Sequence, residues 1–248
     1  MTIETEQDLQ ALKVIGRIVA RILQEMMQRT EPGMTTLELD MIGKSLFEKY
    51  DARSAPMLSY GFPGYTCISI NEEAAHGIPG GRVIQPGDVV NIDVSAEKDG
   101  YFADTGGTFV VPPSSALKNR LCHATRQALD HAVNVARAGQ PLNRIGKAIQ
   151  QVAKQKGFRI IKNLCSHGVG RSLHEEPKEI PGFFNPADKR VLTEGMVITI
   201  EPFLSTKNRI VDQLDDGWTL AGEKDNLSAQ YEHTMVITKG KPILLTIA

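Results

Sequence analysis

The chain of 248 residues carries 28 Lys+Arg against 29 Asp+Glu, a formal net charge of −1, with 41% hydrophobic residues and three cysteines. That balance leaves no electrostatic footprint for nucleic acid or an anionic membrane, and no apolar run approaches the ~20 residues that span a bilayer. At this length folding buries roughly three-quarters of the unfolded surface, so one cytoplasmic, monomeric globular domain over 1–248 is expected without help from disulfides.

The acidic stretch Met1–Gln10 lacks the basic and apolar regions of a signal peptide. Leu12, Ile15, Val19, Ile22, Leu23 and Met26 then recur at spacings of three and four and predict a first helix, ended by Glu31-Pro32-Gly33. Thr35-Thr36-Leu37-Glu38 reads as a capping box for a second helix, with Ile42, Leu46, Phe47 and Tyr50 facing inward. Strands are expected over 65–70 and 88–96, and Asp99-Gly100 turns the chain back through 102–111 as a hairpin.

After Pro112-Pro113 the order repeats. One helix carries Leu117, Leu121, Ala124 and Ala128, and a second carries Ile145, Ile149 and Val152. Strands are expected over 158–161, 196–203 and 230–238. Two helices followed by strands, twice, predicts an α+β fold with helices covering one face of an antiparallel sheet. The segment from Val83 to Asp93 also aligns without gaps on Val191 to Glu201, apolar pair, turn glycine, strand and carboxylate in each. Two related halves, about 1–112 and 113–248, are therefore expected to pack together.

The hairpin locates the chemistry. With Asp99-Gly100 as its loop, Asp93 faces Gly106, and Asp104 lies diagonal to Asp93 on the same sheet face, about 5.5–8 Å away at the backbone. The repeat sets Asp93 opposite Glu201, and Asp104 opposite Glu232. Carboxylates in strands this apolar are seldom buried unless paired or metal-bound. Four of them, joined by a histidine, suit two adjacent divalent ions such as Mn²⁺, Fe²⁺, Co²⁺ or Mg²⁺.

His76, His167 and His174 fall in Gly- or Pro-rich segments around these carboxylates. His123 and His131 read as surface residues, and His233 as facing the opposite side of its strand from Glu232. Cys165 reads as a small buried hydrophobe. Gly168-Val169-Gly170 lacks the third glycine of a dinucleotide fingerprint, and there is no Walker loop, His-Glu-x-x-His or Gly-x-Ser-x-Gly.

The motifs Asn71-Glu72-Glu73-Ala74-Ala75-His76-Gly77-Ile78-Pro79, Asn91-Ile92-Asp93, Asp99-Gly100-Tyr101-Phe102-Ala103-Asp104-Thr105, His167-Gly168-Val169-Gly170, Leu173-His174-Glu175-Glu176-Pro177, Thr199-Ile200-Glu201-Pro202 and Ser228-Ala229-Gln230-Tyr231-Glu232-His233-Thr234 occur in this order. Over essentially its whole length the chain resembles the bacterial type I methionine aminopeptidases. The resemblance implies the pita-bread fold, with pseudo-two-fold symmetry, and a cytosolic enzyme trimming initiator methionine from nascent polypeptides at the ribosome.

It also implies residue roles. Asp93 would hold one metal, His167 and Glu201 the other, with Asp104 and Glu232 bridging both. Glu201 would move the proton of the attacking water, His174 would contact the scissile carbonyl, and His76 would sit beside the substrate amide or leaving amine. Tyr60, Phe62, Cys67 and Trp218 would line the methionine pocket, with Met57 and Leu173 at neighbouring positions. Two alternatives stay open: a proline-directed aminopeptidase of the same fold, and a metal-free ribosome- or RNA-binding homologue.

Overall fold

Threonine hydroxyls start both amino-terminal helices. In the computed structural model, which describes residues 1–248, α1 (Glu6–Arg29) and α2 (Thr36–Lys49) each open on a reciprocal capping box, Thr5 with Asp8 and Thr35 with Glu38. Helix α1 buries Leu12, Ile15, Val19, Ile22 and Met26, while Leu23 is partly covered. Next come β1 (Arg53–Ser54), α3 (Ala55–Tyr60), β2 (Cys67–Ile70), β3 (Glu73–Ala75), β4 (Val89–Lys98) and β5 (Tyr101–Val110). The second half has α4 (Ala116–Val135), α5 (Asn143–Lys156), β6 (Arg159–Ile160), β7 (Cys165–Gly168), β8 (Glu175–Pro181), β9 (Val197–Ile200) and β10 (Phe203–Ser205). It ends with β11 (Asp212–Gln213), β12 (Leu220–Ala221), β13 (Ser228–Gln230), β14 (His233–Val236) and β15 (Ile243–Leu244).

Every strand pairing is antiparallel. In the first half β4 lies between β5 on one edge and β1 and β2 on the other; in the second the order is β15-β14-β9-β7-β8. Helix α1 packs on β4 and β5, and α4 packs on β9, β10 and β13. The apolar interior has one cluster centred on residues 12–111, another drawn from 121–237, and a small third one of six residues that includes Leu164 and Phe203.

Backbone hydrogen bonds repeat across the halves. Gly33 N–H donates to Ile84 O at 2.8 Å, and Gly139 N–H to Leu192 O at 2.8 Å. Gly87 N–H meets Val111 O at 2.8 Å, and Gly195 N–H meets Ile237 O at 2.8 Å. The eleven-residue match is thus the trace of a shared connection, in which each helix pair is tied to the strand that follows it.

Four expected strands are shorter or broken, each for a visible reason. The run 158–161 keeps only Arg159–Ile160, because Phe158 N–H closes the end of α5 on Ala153 O at 3.0 Å. Tyr65 and Thr66 are not in β2, because their N–H groups donate to the Asp40 carboxylate at 3.0 and 2.8 Å. The run 196–203 splits at Glu201-Pro202, where proline has no N–H to give a ladder. The run 230–238 splits at Tyr231-Glu232, because Glu232 N–H donates at 2.9 Å to Gly106 O in the other half. Leu117, expected to face inward, sits in the first turn of α4 and is 46% exposed.

The halves join along β5. Thr234 Oγ1 accepts from Asp104 N–H at 2.9 Å and donates to Asp104 O at 2.7 Å. Thr108 Oγ1 accepts from Gln230 N–H at 2.9 Å and donates to Gln230 O at 2.7 Å. A hydroxyl both gives and takes a hydrogen bond, so each threonine bridges two strand segments that cannot pair directly.

Candidate active site

A cavity of about 320 Å³ opens between the halves. It brings together Tyr60, Phe62, Cys67, His76, Asp93, Asp104, His167, His174, Glu201 and Trp218. Glu232 does not line it; it lies underneath, 2% exposed. A wider groove, about 980 Å³, runs between α1 and α4 on the helical side and takes in Glu232 alone of these residues.

The hairpin register sets the acids. Asp93 pairs with Gly106, and Asp104 with Ser95, which leaves the two carboxylates diagonal on one face of the hairpin. Glu201 and Glu232 come from the two strand breaks. Thr199 Oγ1 donates to Glu201 Oε1 at 3.1 Å, and Gln230 Nε2 donates to Glu232 Oε2 at 3.0 Å. Burial pushes all four carboxyls above the ordinary range. Mutual repulsion adds to this, with Asp104 acting on Asp93, Glu201 and Glu232.

His167 reaches the same point from β7, with Nε2 3.8 Å from Asp104 Oδ2 and 3.5 Å from Glu201 Oε1. Its Nδ1 lies 2.9 Å from Gly168 O. A carbonyl can only accept, so Nδ1 carries the proton and Nε2 presents a lone pair to the acids. Burial holds the imidazole neutral, its pKa down to about 3.

The donor set fits a divalent cation. Asp104 Oδ1 and Glu232 Oε1 are buried without any hydrogen-bond donor, a costly condition for carboxylates that a cation relieves. Asp104, His167 and Glu232 offer ligand atoms all within 4.8 Å of one another. Carboxylate oxygens with one imidazole suit hard or borderline ions.

Residues 10–239 match the model of metallopeptidase family M24. The methionine aminopeptidase of Staphylococcus epidermidis is 49% identical over 247 residues, 99% of this chain and 98% of that protein. Methionine aminopeptidase 2 of Bacillus subtilis is 45% identical, with 99% of each chain covered. The chain belongs to metallopeptidase family M24, among the methionine aminopeptidases. The crystal structure of methionine aminopeptidase from Thermotoga maritima, 32% identical, matches with a TM-score of 0.95 and full coverage of both chains. The pita-bread fold of the family is therefore the fold of this chain.

In this M24 metallopeptidase the apolar side of the cavity is built by Phe62 and Trp218, whose rings meet edge to face at 5.2 Å. Cys67 pairs with Asp93 across β2 and β4, and burial, then the Asp93 charge, raises its thiol pKa. Leu173 is in the wall, but Met57, 40% exposed on the short helix α3, is not. Cys165 is half-buried in the cavity wall rather than in the core, and burial followed by the Glu201 charge raises its pKa to about 11. Lys178, Asn163 and Phe203 also line the cavity, and no motif in the sequence singled them out.

The loop carrying His174 joins β7 to β8 and is held from outside. Arg171 Nη2 contacts Asp8 Oδ1 at 2.8 Å and Tyr101 Oη at 2.6 Å, with its guanidinium 3.7 Å over the Tyr101 ring. Gly168 permits the close return of this loop: a Cβ there would stand 2.3 Å from Glu176 O. His123 and His131 are exposed on α4, and His233 turns its Nδ1 to Thr246 Oγ1 at 2.8 Å.

Proposed function

We propose that this methionine aminopeptidase removes the amino-terminal methionine from nascent polypeptides whose second residue is small. Asp93 would hold one divalent ion, His167 and Glu201 a second, with Asp104 and Glu232 between them. The observation that carries this is the pair of buried carboxylate oxygens with no donor, on two acids whose ligand atoms gather with that of His167 within 4.8 Å of one another. Mn²⁺, Co²⁺ and Fe²⁺ are the ions the donor set suits best. A divalent ion held there supplies Lewis acidity and a nucleophilic water at neutral pH.

The chain's own residues do the rest. Glu201, its carboxyl pKa raised by burial, accepts the proton of the attacking water and returns it to the leaving amine. His174 donates a hydrogen bond to the scissile carbonyl oxygen as charge develops on it. His76, kept neutral by burial, stands beside the substrate amide. The methionine side chain packs between Phe62, Trp218, Cys67 and Tyr60, and the substrate's free α-amine would reach an ion held by the acids. An internal residue has no such amine, so amino-terminal residues are favoured. The working setting is cytoplasmic, at the ribosome, with the chain acting as a monomer; no helix is long and apolar enough to cross a membrane.

Metal-stripped protein reloaded separately with Mn²⁺, Co²⁺ or Fe²⁺ and offered Met-Ala, Met-Lys and Ala-Pro peptides tests the reading. Cleavage of Met-Ala alone is expected. Preferential attack on Ala-Pro would mark a proline-directed enzyme, and no cleavage with any ion would point to a binding module.

A further inference from the structure

Helix α3 ends at Tyr60, and Gly61, in the left-handed region at φ 69°, turns the chain away and leaves the phenol reaching over the cavity. Tyr60 Oη lies 2.7 Å from His174 Nδ1, a contact between the two halves of the fold. The His174 ring also rests on His167, with centroids 4.1 Å apart and planes inclined at 42°. One face and one nitrogen of His174 are therefore engaged, and only Nε2 is left for a substrate.

We propose that Tyr60 is a positioning residue for His174, its O–H donating to Nδ1 and so fixing the imidazole in the tautomer that carries its proton on Nε2. Tyr60 Oη has no other hydrogen-bond partner within the protein, so Nδ1 is the one protein acceptor for its proton. A neutral imidazole that accepts at one nitrogen donates at the other. Nε2–H is the donor a developing oxyanion needs, whereas the other tautomer would turn a lone pair on it. The two adjoining histidines then hold opposite tautomers. His167 keeps its proton on Nδ1, against Gly168 O, and offers Nε2 as a ligand; His174 keeps its proton on Nε2 and offers it to the substrate. This assignment rests on the reading of His174 as the carbonyl contact.

Tyr60→Phe keeps the ring that packs 5.5 Å from His174 and removes the hydroxyl alone. In the metal-loaded enzyme with a Met-Ala peptide, kcat should fall about three- to ten-fold, the worth of one net hydrogen bond, with KM nearly unchanged. In a His174→Ala background the same substitution should change nothing further. Nitrogen-15 NMR of the histidine-labelled full chain, free of paramagnetic ions, should show His174 as the Nε2–H tautomer, and a mixture in Tyr60→Phe. A Tyr60→Phe enzyme with wild-type kcat, a change confined to KM, an equal loss in both backgrounds or an Nδ1–H signal for His174 would overturn the assignment. Wild-type kcat in His174→Ala would instead overturn the reading of His174, and this inference with it.

Discussion

Asn91 donates through Nδ2 to Gln230 Oε1 at 2.9 Å, across the junction of the two halves. Gln230 passes the orientation on, donating through Nε2 to Glu232 Oε2 at 3.0 Å. Both amides are buried, and a buried amide is held in one orientation by the partners it satisfies. A strand of the first half thereby aims a carboxylate of the second.

Gly106 makes room for this relay, since a Cβ there would stand 2.1 Å from Gln230 Oε1 and 2.5 Å from Nε2. Gly106→Ala should displace the Gln230 amide, lower stability by about 1–3 kcal/mol and depress kcat by more than the stability loss explains. Urea unfolding and steady-state kinetics on the same preparation check both. A folded Gly106→Ala protein with wild-type kcat would show that Gln230 does not orient Glu232.

Asp104→Asn and Glu232→Gln keep side-chain volume but remove the charge of the proposed bridging ligands. Each should abolish turnover and leave a folded protein, seen by kinetics and circular dichroism. Full activity in either variant would end the dinuclear reading. His174→Ala should lower kcat while elemental analysis finds the metal retained; loss of metal would mean that His174 is a ligand.

The acids also predict how metal and pH act together on stability. Their folded-state pKa values are raised by burial first and by one another second. Metal-free protein is therefore unpenalised below the unfolded carboxylate pKa, about 4, and loses stability as pH rises toward the raised values. A divalent ion takes the place of those protons, so its stabilisation grows with pH. Thermal melts with and without Mn²⁺ should show a larger rise in Tm near pH 8 than near pH 6. A larger rise at the lower pH would contradict carboxylate ligation.

His233, the first residue of β14, reports separately. Burial, reinforced by the Arg126 charge, depresses its pKa from 6.5 to about 4. A depressed basic group adds stability that is complete above its unfolded pKa and is lost as pH falls from 6.5 through about 4. His233→Gln, which can still reach Thr246, should therefore lose about 2–3 kcal/mol less than wild type over that window. Urea midpoints across that range measure the difference; parallel curves would place the acid sensitivity elsewhere.

Local chemistry was legible where it acts alone. Asp99-Gly100 dictated the hairpin register, which set Asp93 opposite Gly106 and Asp104 diagonal to it, and Thr35 with Glu38 announced α2. The duplicated segment announced two halves. What stayed hidden depends on partners far along the chain. Strands β7 and β8, reading Cys-Ser-His-Gly and Glu-Glu-Pro-Lys-Glu-Ile-Pro, show no period-two alternation and exist because β9 and each other complete their ladders. The break at Glu232 needs Gly106 O in the other half, which no local pattern reveals. Cys165 looked like core because thiols usually are, yet a cavity passes beside it.

The two contributions to the acid cluster are mounted differently. Asp93 and Asp104 sit mid-strand in a hairpin of two ten-residue strands with every position paired. Glu201 and Glu232 sit at interruptions, each followed by a fresh short strand and steered by one neighbouring side chain. The amino-terminal half thus carries its acids inside a continuous ladder and the carboxy-terminal half carries them at ladder ends. If the cluster holds divalent ions as proposed, adjustment to ions of different radii would fall to the carboxy-terminal pair.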